Sequence, residues 1–259
     1  MAIAIIGGTG VDEMACFSGG KASTVTTRFG SADIISGKLD QIELVFVPRH
    51  GLGHAVPPSR INYRAQIAAL KSLQVDCAIG VCAVGSLKAE LGCGSFAVLS
   101  DFIDLTKHRQ DTFFDGEDGV VVHTDFTNPY CQAVSDALRR ACSEIGVVYE
   151  SQGIYVGVEG PRYESPAEIK LYASWGAHVI GMTNLPEVVL AREAGLCYGA
   201  LAIVTNPACG ISPTPLAHEE VREAMAAAGQ SLQSVLLNAI TRISGEHSCI
   251  CRENKGLIL

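Results

Sequence analysis

Short apolar runs alternate along this chain with segments in which apolar residues recur at helical spacing. The apolar runs predict buried strands at residues 2–6, 43–47, 77–82, 96–99, 153–156, 178–181 and 198–205. The periodic segments predict helices at residues 63–73, 166–175, 186–195 and from about residue 218 onwards. Strands that alternate with helices in this way are typical of an α/β domain.

One helix start is encoded with particular clarity. Ser165 is a good N-cap, Pro166 suits the first helical position, and Glu168 can complete a capping box. The last helix begins near His218, and its apolar residues form one stripe as far as Ile243.

Polar residues gather directly after the predicted strands. They are Thr9, Arg49, His50, Ser86, Thr183 and Asn206. Ligands of α/β sheets bind beyond the carboxyl ends of the strands. A binding pocket at this edge of the sheet is therefore predicted.

Composition and charge narrow the range of partners. The 259 residues are 48% hydrophobic and 18% charged, which is typical of a globular protein. The formal net charge of -8 argues against nucleic-acid binding, and an anionic substrate would need a local positive pocket. The first ten residues are interpreted as a buried strand, not a signal peptide, and no apolar run is long enough for a membrane span.

The ten cysteines lie mainly in apolar segments, which predicts buried thiols in a reducing compartment and hence a cytoplasmic protein. Cys249 and Cys251 stand apart near the C-terminus, close to His247. A metal or redox role is possible there, although a second ligand pair at zinc-site spacing is missing from the sequence. The alternative interpretation is an unpaired tail, and we predict no metal site.

Two segments suit a phosphate ion. The glycine-rich turn at residues 7–10 could cradle it with backbone N–H groups and the Thr9 hydroxyl, although a plain turn has the same pattern. Arg49 offers a bidentate fork and His50 a second donor, although a salt bridge at a strand end would explain the arginine equally well.

The segment from Glu159 to Glu164 and the residue Asn206 suit a purine. A Gly-Pro pair fixes the loop that presents Tyr163 and Glu164 just before a helix. Glu164 could instead favour the helix N-terminus, and Asn206 could be a cap or turn residue.

Taken together, these motifs resemble the trimeric nucleoside phosphorylases, which include methylthioadenosine phosphorylases and 6-oxopurine nucleoside phosphorylases. The resemblance covers roughly residues 2–240. It is carried by GGTG (7–10), RHG (49–51), NYRAQIAALK (62–71), AVGSL (83–87), DFIDLT (101–106), EGPRYES (159–165), GMTNLPEVVLAREAG (181–195) and TNPACG (205–210). It implies a single α/β domain at residues 1–245, with a mixed and partly barrel-like central sheet flanked by helices, and a C-terminal tail at residues 246–259.

The resemblance also implies roles for individual residues. Phosphate would be bound by Thr9, Arg49, His50, Ala83 and Thr183. The nucleoside would be contacted by Tyr163, Met182, His218 and His123. His123 matches a position that reaches into the sugar site of a neighbouring subunit, so a homotrimer is implied. Cys82 departs from the methylthioadenosine enzymes, which have a phosphate-binding Thr there.

Two positions predict the base. Asn206 can donate to a 6-oxo group, whereas methylthioadenosine enzymes have aspartates in this segment. Glu164 can accept from the N1–H of inosine or guanosine, an atom that adenosine lacks. The predicted catalytic residues are therefore Asn206 and Glu164.

The predicted activity is phosphorolysis of 6-oxopurine nucleosides in purine salvage, with inorganic phosphate as co-substrate and no cofactor or metal. His218 resembles the histidine that binds the ribose 5′-hydroxyl, which favours inosine over methylthioinosine. A methylthioinosine phosphorylase, a nucleosidase that uses water, and a nucleotide-binding sensor remain as alternatives.

Overall fold

The computed structural model describes residues 1–8, 11, 14–53, 55–211, 218–243, 249–253 and 257–258, with the backbone alone at residues 218–222 and 257–258. Its strands are β1 (Ala2–Gly7), β2 (Ala22–Thr27), β3 (Gly30–Leu39), β4 (Ile42–Pro48), β5 (Cys77–Ser86), β6 (Phe96–Leu105), β7 (Val122–His123), β8 (Tyr149–Val158), β9 (Val179–Gly181), β10 (Cys197–Pro207) and β11 (Leu257–Ile258). Its α-helices are α1 (Tyr63–Ser72), α2 (Gln132–Ile145), α3 (Pro166–Ser174), α4 (Glu187–Glu193) and α5 (His218–Ile243), and short 3₁₀ turns lie at Ala15–Phe17 and Pro58–Arg60.

The central sheet has nine strands in the order β10-β6-β8-β9-β5-β1-β4-β3-β2. An additional pairing of β10 with β5 closes the first five strands into a ring. Both parallel and antiparallel neighbours occur, so the sheet is mixed. The predicted single α/β domain with a partly barrel-like mixed sheet is confirmed.

Apolar side chains on the two faces of the sheet pack under different helices. Apolar residues of α2 and α5 cover one face of the strands, and α1 and α4 cover the other. A smaller cluster lies under α3. Within the described ranges, no helix combines the length and the apolar character needed to cross a membrane.

The predicted strands and helices are all present, and several strands extend further than their apolar runs. The strand predicted at residues 77–82 continues to Ser86, and the strand predicted at 153–156 spans Tyr149–Val158. The capping box of α3 is confirmed, because Ser165 accepts from the Glu168 backbone and Glu168 accepts from the Ser165 backbone. The pattern did not predict β2, β3 or α2.

Candidate active site

The floor of the pocket lies where β5 runs beside β10. Ala83 is exposed although every other residue of β5 is buried, so the strand opens to solvent at this point. Further along the pair, Asn206 lies in register with Gly85. A Cβ atom on Gly85 would come within 3.2 Å of Asn206 Nδ2, so the missing side chain gives the amide its space.

The Asn206 amide is held in one orientation by its neighbours. The Thr205 hydroxyl lies 2.9 Å from Asn206 Oδ1, and Asn206 Nδ2 donates to the Pro207 carbonyl at 2.9 Å. A carboxamide has a second hydrogen on nitrogen and a second lone pair on oxygen. Asn206 can therefore still donate to one atom of a planar ligand and accept from another.

The loop between β8 and α3 forms the adjoining wall. Gly160 has a φ of +66°, and a Cβ atom there would collide with Met182 Sδ. Glycine thus allows this loop to lie directly against Met182. Tyr163 is 38% exposed, and its contact with the purine stays a prediction.

Glu164 lies at the point where this loop meets the end of β10. A Cβ atom on Gly210 would lie 2.7 Å from Pro166 Cβ, which shows how closely the turn after β10 approaches the start of α3. Burial raises the pKa of Glu164, and burial together with the nearby Glu164 carboxylate raises the pKa of Cys209 in the turn after β10. The carboxyl group of Glu164 and the segment that carries Asn206 therefore lie close together.

Arg49 follows β4, as predicted, and its fork is bound by partners in the core. Its Nε and Nη2 atoms donate to the Glu187 carboxylate at 2.7 and 2.9 Å, and its other bonds go to the carbonyls of Val81 and Ile6. Burial alone would lower the pKa of Arg49, but the Glu187 carboxylate raises it above its ordinary value. The salt-bridge interpretation of this arginine is thus correct, because a buried guanidinium needs a carboxylate partner. Its contact with phosphate stays a prediction.

Glu187 anchors a buried hydrogen-bond network that continues to the end of β9. Tyr198 donates to Glu187 at 2.6 Å and accepts from Asn184 at 2.8 Å. Asn184 also accepts from Tyr130 at 2.6 Å, and the Thr183 backbone donates to the Tyr155 hydroxyl at 3.1 Å. The network fixes the backbone that presents Met182 and Thr183.

Residues 2–241 match the phosphorylase superfamily. A probable 6-oxopurine nucleoside phosphorylase of Dictyoglomus turgidum is 47% identical, over 97% of this chain and 95% of the relative. A probable S-methyl-5′-thioinosine phosphorylase of Methanocaldococcus jannaschii is 43% identical, over 97% of this chain and 96% of the relative. The structure of a methylthioadenosine phosphorylase from Schistosoma mansoni in complex with adenine is similar too, with a TM-score of 0.90, 32% identity, and coverage of 95% of this chain and 93% of that one.

The chain belongs to the phosphorylase superfamily. Its membership is established by the match along nearly the whole chain and by the high identity to these relatives. The chain is accordingly an enzyme, and the pocket between β5, β10 and the β8–α3 loop is its candidate active site.

Thr183 follows β9 and His50 follows β4, and their contacts with phosphate stay predictions. Because β9 is antiparallel to β5, with Ile180 opposite Gly85, the residues after β9 run back along β5 towards Ala83. Thr183 is half-buried. The His50 ring is positioned by a 2.8 Å contact between its Nδ1 atom and the Val56 carbonyl.

Cys82, where the sequence departs from the methylthioadenosine enzymes, lies in the apolar core on the other side of β5 from Ala83. Burial raises the pKa of its thiol to about 12, so the thiol stays neutral. The side chain is directed away from the exposed face of the strand, and any contact from β5 to phosphate must come from the backbone near Ala83.

Two of the predicted positions, Thr9 and His218, have no complete description. Thr9 lies outside the described residues, and His218 is the first residue of α5 but its side chain lies outside them as well. His123 is described: it is exposed in β7, where it pairs with Leu257 of β11.

Sequence reasoning missed two residues that shape the site. Glu187 stands in a segment quoted for the resemblance, but its pairing with Arg49 joins positions 138 residues apart. Arg109 donates to the carbonyls of Met182, Leu185, Val158 and Glu159, and so ties the ends of β8 and β9 together. The only signal for Glu187 was a charge within a largely apolar segment, and Arg109 gave no such signal because its neighbours in sequence are polar.

Proposed function

We propose that this chain cleaves 6-oxopurine nucleosides, such as inosine and guanosine, with inorganic phosphate to give the free base and ribose 1-phosphate. The observation that carries this proposal is the convergence of Glu164 and the Asn206 segment on one pocket. The name of the Dictyoglomus turgidum relative supports the same substrate class.

The two side chains match the edge of a 6-oxopurine. Ionised Glu164 accepts from N1–H, and Asn206 donates from Nδ2 to O6 or accepts from a protonated N7. These contacts stabilise the negative charge that develops on the purine as the glycosidic bond breaks. Adenosine has no N1–H, so a carboxylate facing its bare N1 would disfavour binding.

Phosphate occupies the opposite side of the sugar in this proposal. Its ligands are the turn that contains Thr9, the side chains of His50 and Thr183, and the exposed backbone near Ala83. Arg49 adds a positive charge behind this site while its fork stays paired with Glu187. Phosphate then attacks the cationic ribosyl group as a positioned nucleophile, and no metal or organic cofactor takes part.

Several further features belong to the same proposal. The enzyme acts as a homotrimer in which His123 completes the sugar site of a neighbouring subunit. Met182 and Tyr163 contact the sugar and the base, and His218 binds the 5′-hydroxyl. The enzyme works in purine salvage in the cytoplasm, where a reducing environment preserves its free cysteines.

The second candidate is phosphorolysis of S-methyl-5′-thioinosine. The relative from Methanocaldococcus jannaschii favours it, because it is almost as similar to this chain as the relatives named for 6-oxopurine nucleosides. Both candidates need the same base contacts and differ only in the surroundings of the 5′ group.

The test is release of hypoxanthine from inosine with and without phosphate, with methylthioinosine and adenosine measured in parallel. We expect phosphate-dependent cleavage that is fastest with inosine and negligible with adenosine. Faster cleavage of methylthioinosine would favour the second candidate and contradict the role of His218. Cleavage without phosphate would identify a nucleosidase, and binding without turnover would identify a sensor.

A further inference from the structure

Four cysteines from different parts of the chain converge at the start of β10, whereas Asn206 lies near the end of that strand. Their sulfur atoms all lie within 4.8 Å of one another, and we call them the cysteine cluster: Cys131, Cys197, Cys249 and Cys251. Cys131 is the N-cap of α2 and Cys197 is the first residue of β10. The other two come from the segment after α5, so the fold supplies the second ligand pair that the sequence alone did not reveal.

The cluster is held rigidly and is shielded from solvent. The Cys131 backbone donates to the Tyr198 carbonyl at 2.7 Å, which fixes the start of α2 against the start of β10. Three of the four cysteines are buried, and Cys249 is partly buried. A closed and preformed set of four sulfur atoms is the arrangement found in structural zinc sites.

The sulfur separations fit a tetrahedral ion. Zinc–sulfur bonds of about 2.3 Å at tetrahedral angles place the sulfur atoms about 3.8 Å apart. In the cluster, the Cys197 and Cys249 sulfur atoms are 3.1 Å apart and no pair is separated by more than 4.8 Å. Shifts of less than about 1 Å per side chain would bring all four into the coordination sphere of one ion.

A buried arginine beside the cluster indicates that it carries negative charge. Arg192 is 3% exposed, and its Nη1 atom lies 3.8 Å from Cys251 Sγ. Its Nε atom donates to the Asp125 carbonyl, while Nη2 has no hydrogen-bond partner among the described residues. Four thiolates around Zn²⁺ leave two negative charges in excess, which a neighbouring guanidinium and the N-terminus of α2 would stabilise.

We propose that the cysteine cluster binds one Zn²⁺ ion in a structural tetrathiolate site. Thiolates in the cluster would place negative charge beside Arg192 Nη1, in addition to the Asp125 carboxylate that interacts with the same guanidinium. All four coordination positions are filled by protein, so the ion has no open position for substrate and its role is structural.

The ion would fix the C-terminal segment to the body of the protein. On the far side of Cys251, Arg252 forms an ion pair with Asp76. Further along, Leu257 of β11 pairs with His123 of β7. Zinc bound to Cys249 and Cys251 therefore holds the segment that covers the strand of His123.

The experiment uses the full chain, produced with added Zn²⁺ and purified in reducing buffer, followed by removal of loosely bound metal with a chelator. Elemental analysis should find about one zinc per chain, and X-ray absorption at the zinc edge should find four sulfur neighbours at about 2.3 Å. The Cys249→Ser/Cys251→Ser variant should lose most of this zinc. The control Cys16→Ser/Cys93→Ser also removes two thiols, but outside the cluster, and should retain the zinc.

Limited proteolysis provides a second measurement. Zinc-depleted wild type and the Cys249→Ser/Cys251→Ser variant should both be trimmed at the C-terminal segment faster than the zinc-bound protein. Any of three results would overturn the proposal. They are wild-type protein that contains no zinc after supplementation, a disulfide within the cluster after purification in reducing buffer, and iron in place of zinc. If the Cys249→Ser/Cys251→Ser variant does not fold, the zinc content and the sulfur coordination of the wild type still test the proposal. Neither measurement depends on the proposed enzymatic activity.

Discussion

At the scale of single residues, the protonation of Glu164 should control the acid side of the pH profile. Burial raises the pKa of this carboxyl group, so it takes up its proton at a higher pH than an exposed glutamate does. Only the ionised form can accept from the purine N1–H. We therefore expect kcat/KM for inosine to fall as the pH drops through this raised pKa, earlier than an ordinary glutamate would cause.

The Glu164→Gln variant separates this effect from others. Its amide carbonyl still accepts a hydrogen bond but carries no charge, so kcat/KM for inosine should be lower. Because the amide does not titrate, the fall in kcat/KM at low pH should disappear. Glu168→Gln is the matched control, because the hydrogen bond from Arg162 already lowers the pKa of Glu168 to about 2. An acid limb that persists unchanged in Glu164→Gln would contradict the assigned role.

Residue chemistry was easier to predict than residue pairing. Glu164 and Asn206 could be identified because a carboxylate and an amide have distinct hydrogen-bonding capacities that a purine must match. The pairing of Arg49 with Glu187 could not be predicted, because Glu187 approaches only when α4 packs beside β10. The cysteine cluster was missed for the same reason, since its second pair of ligands comes from α2 and β10.

At the scale of elements, the Arg49–Glu187 pair joins the end of β4 to the start of α4 within the core. Both side chains are almost fully buried, at 2% and 1% exposure. Removing the carboxylate leaves a buried and unpaired guanidinium, so Glu187→Ala should lower the free energy of unfolding by about 3–5 kcal/mol. Glu187→Gln keeps a hydrogen-bond acceptor and should cost less.

Urea denaturation measures this difference. Asp118→Ala is the control, because it removes the partner of Arg28 from an ion pair that is mostly exposed and should change stability little. Equal losses in Glu187→Ala and Asp118→Ala would show that the buried pair is not important for the fold.

Most elements with one buried face or a clear cap were predictable, and α2 is an exception because its buried stripe at Val134, Leu138 and Ala141 was overlooked. The sequence of α3 encodes its own start through Ser165 and Glu168, and β5 is apolar over its first six residues. β2 has largely exposed residues and forms only an edge hairpin with β3, so its apolar signal is weak. α2 starts at Cys131 without a capping side-chain bond, although Gly146 ends it in the left-handed conformation.

At the scale of the whole molecule, the net charge of -8 means that an anionic substrate needs local positive groups near the pocket. Arg49 and Arg109 lie on segments next to it, each paired with a carboxylate, Glu187 and Glu159 respectively. His123 is different, since it is exposed on β7. A second subunit that receives this side chain would explain its exposure.

Subunit mixing tests the shared site. In the proposed homotrimer, the Asn206→Ala and His123→Ala variants should each have low activity. Asn206→Ala lacks the contact with the base, and His123→Ala lacks the side chain that completes the sugar site of the neighbouring subunit. In mixed trimers made by coexpression with two different tags, about one third of the sites would combine an intact Asn206 with an intact His123 from the adjacent subunit. Purified mixed trimers should therefore regain activity that neither parent has. Mixed trimers no more active than the average of the parents would show that His123 acts within its own subunit or not at all, because complementation requires a site built from two chains.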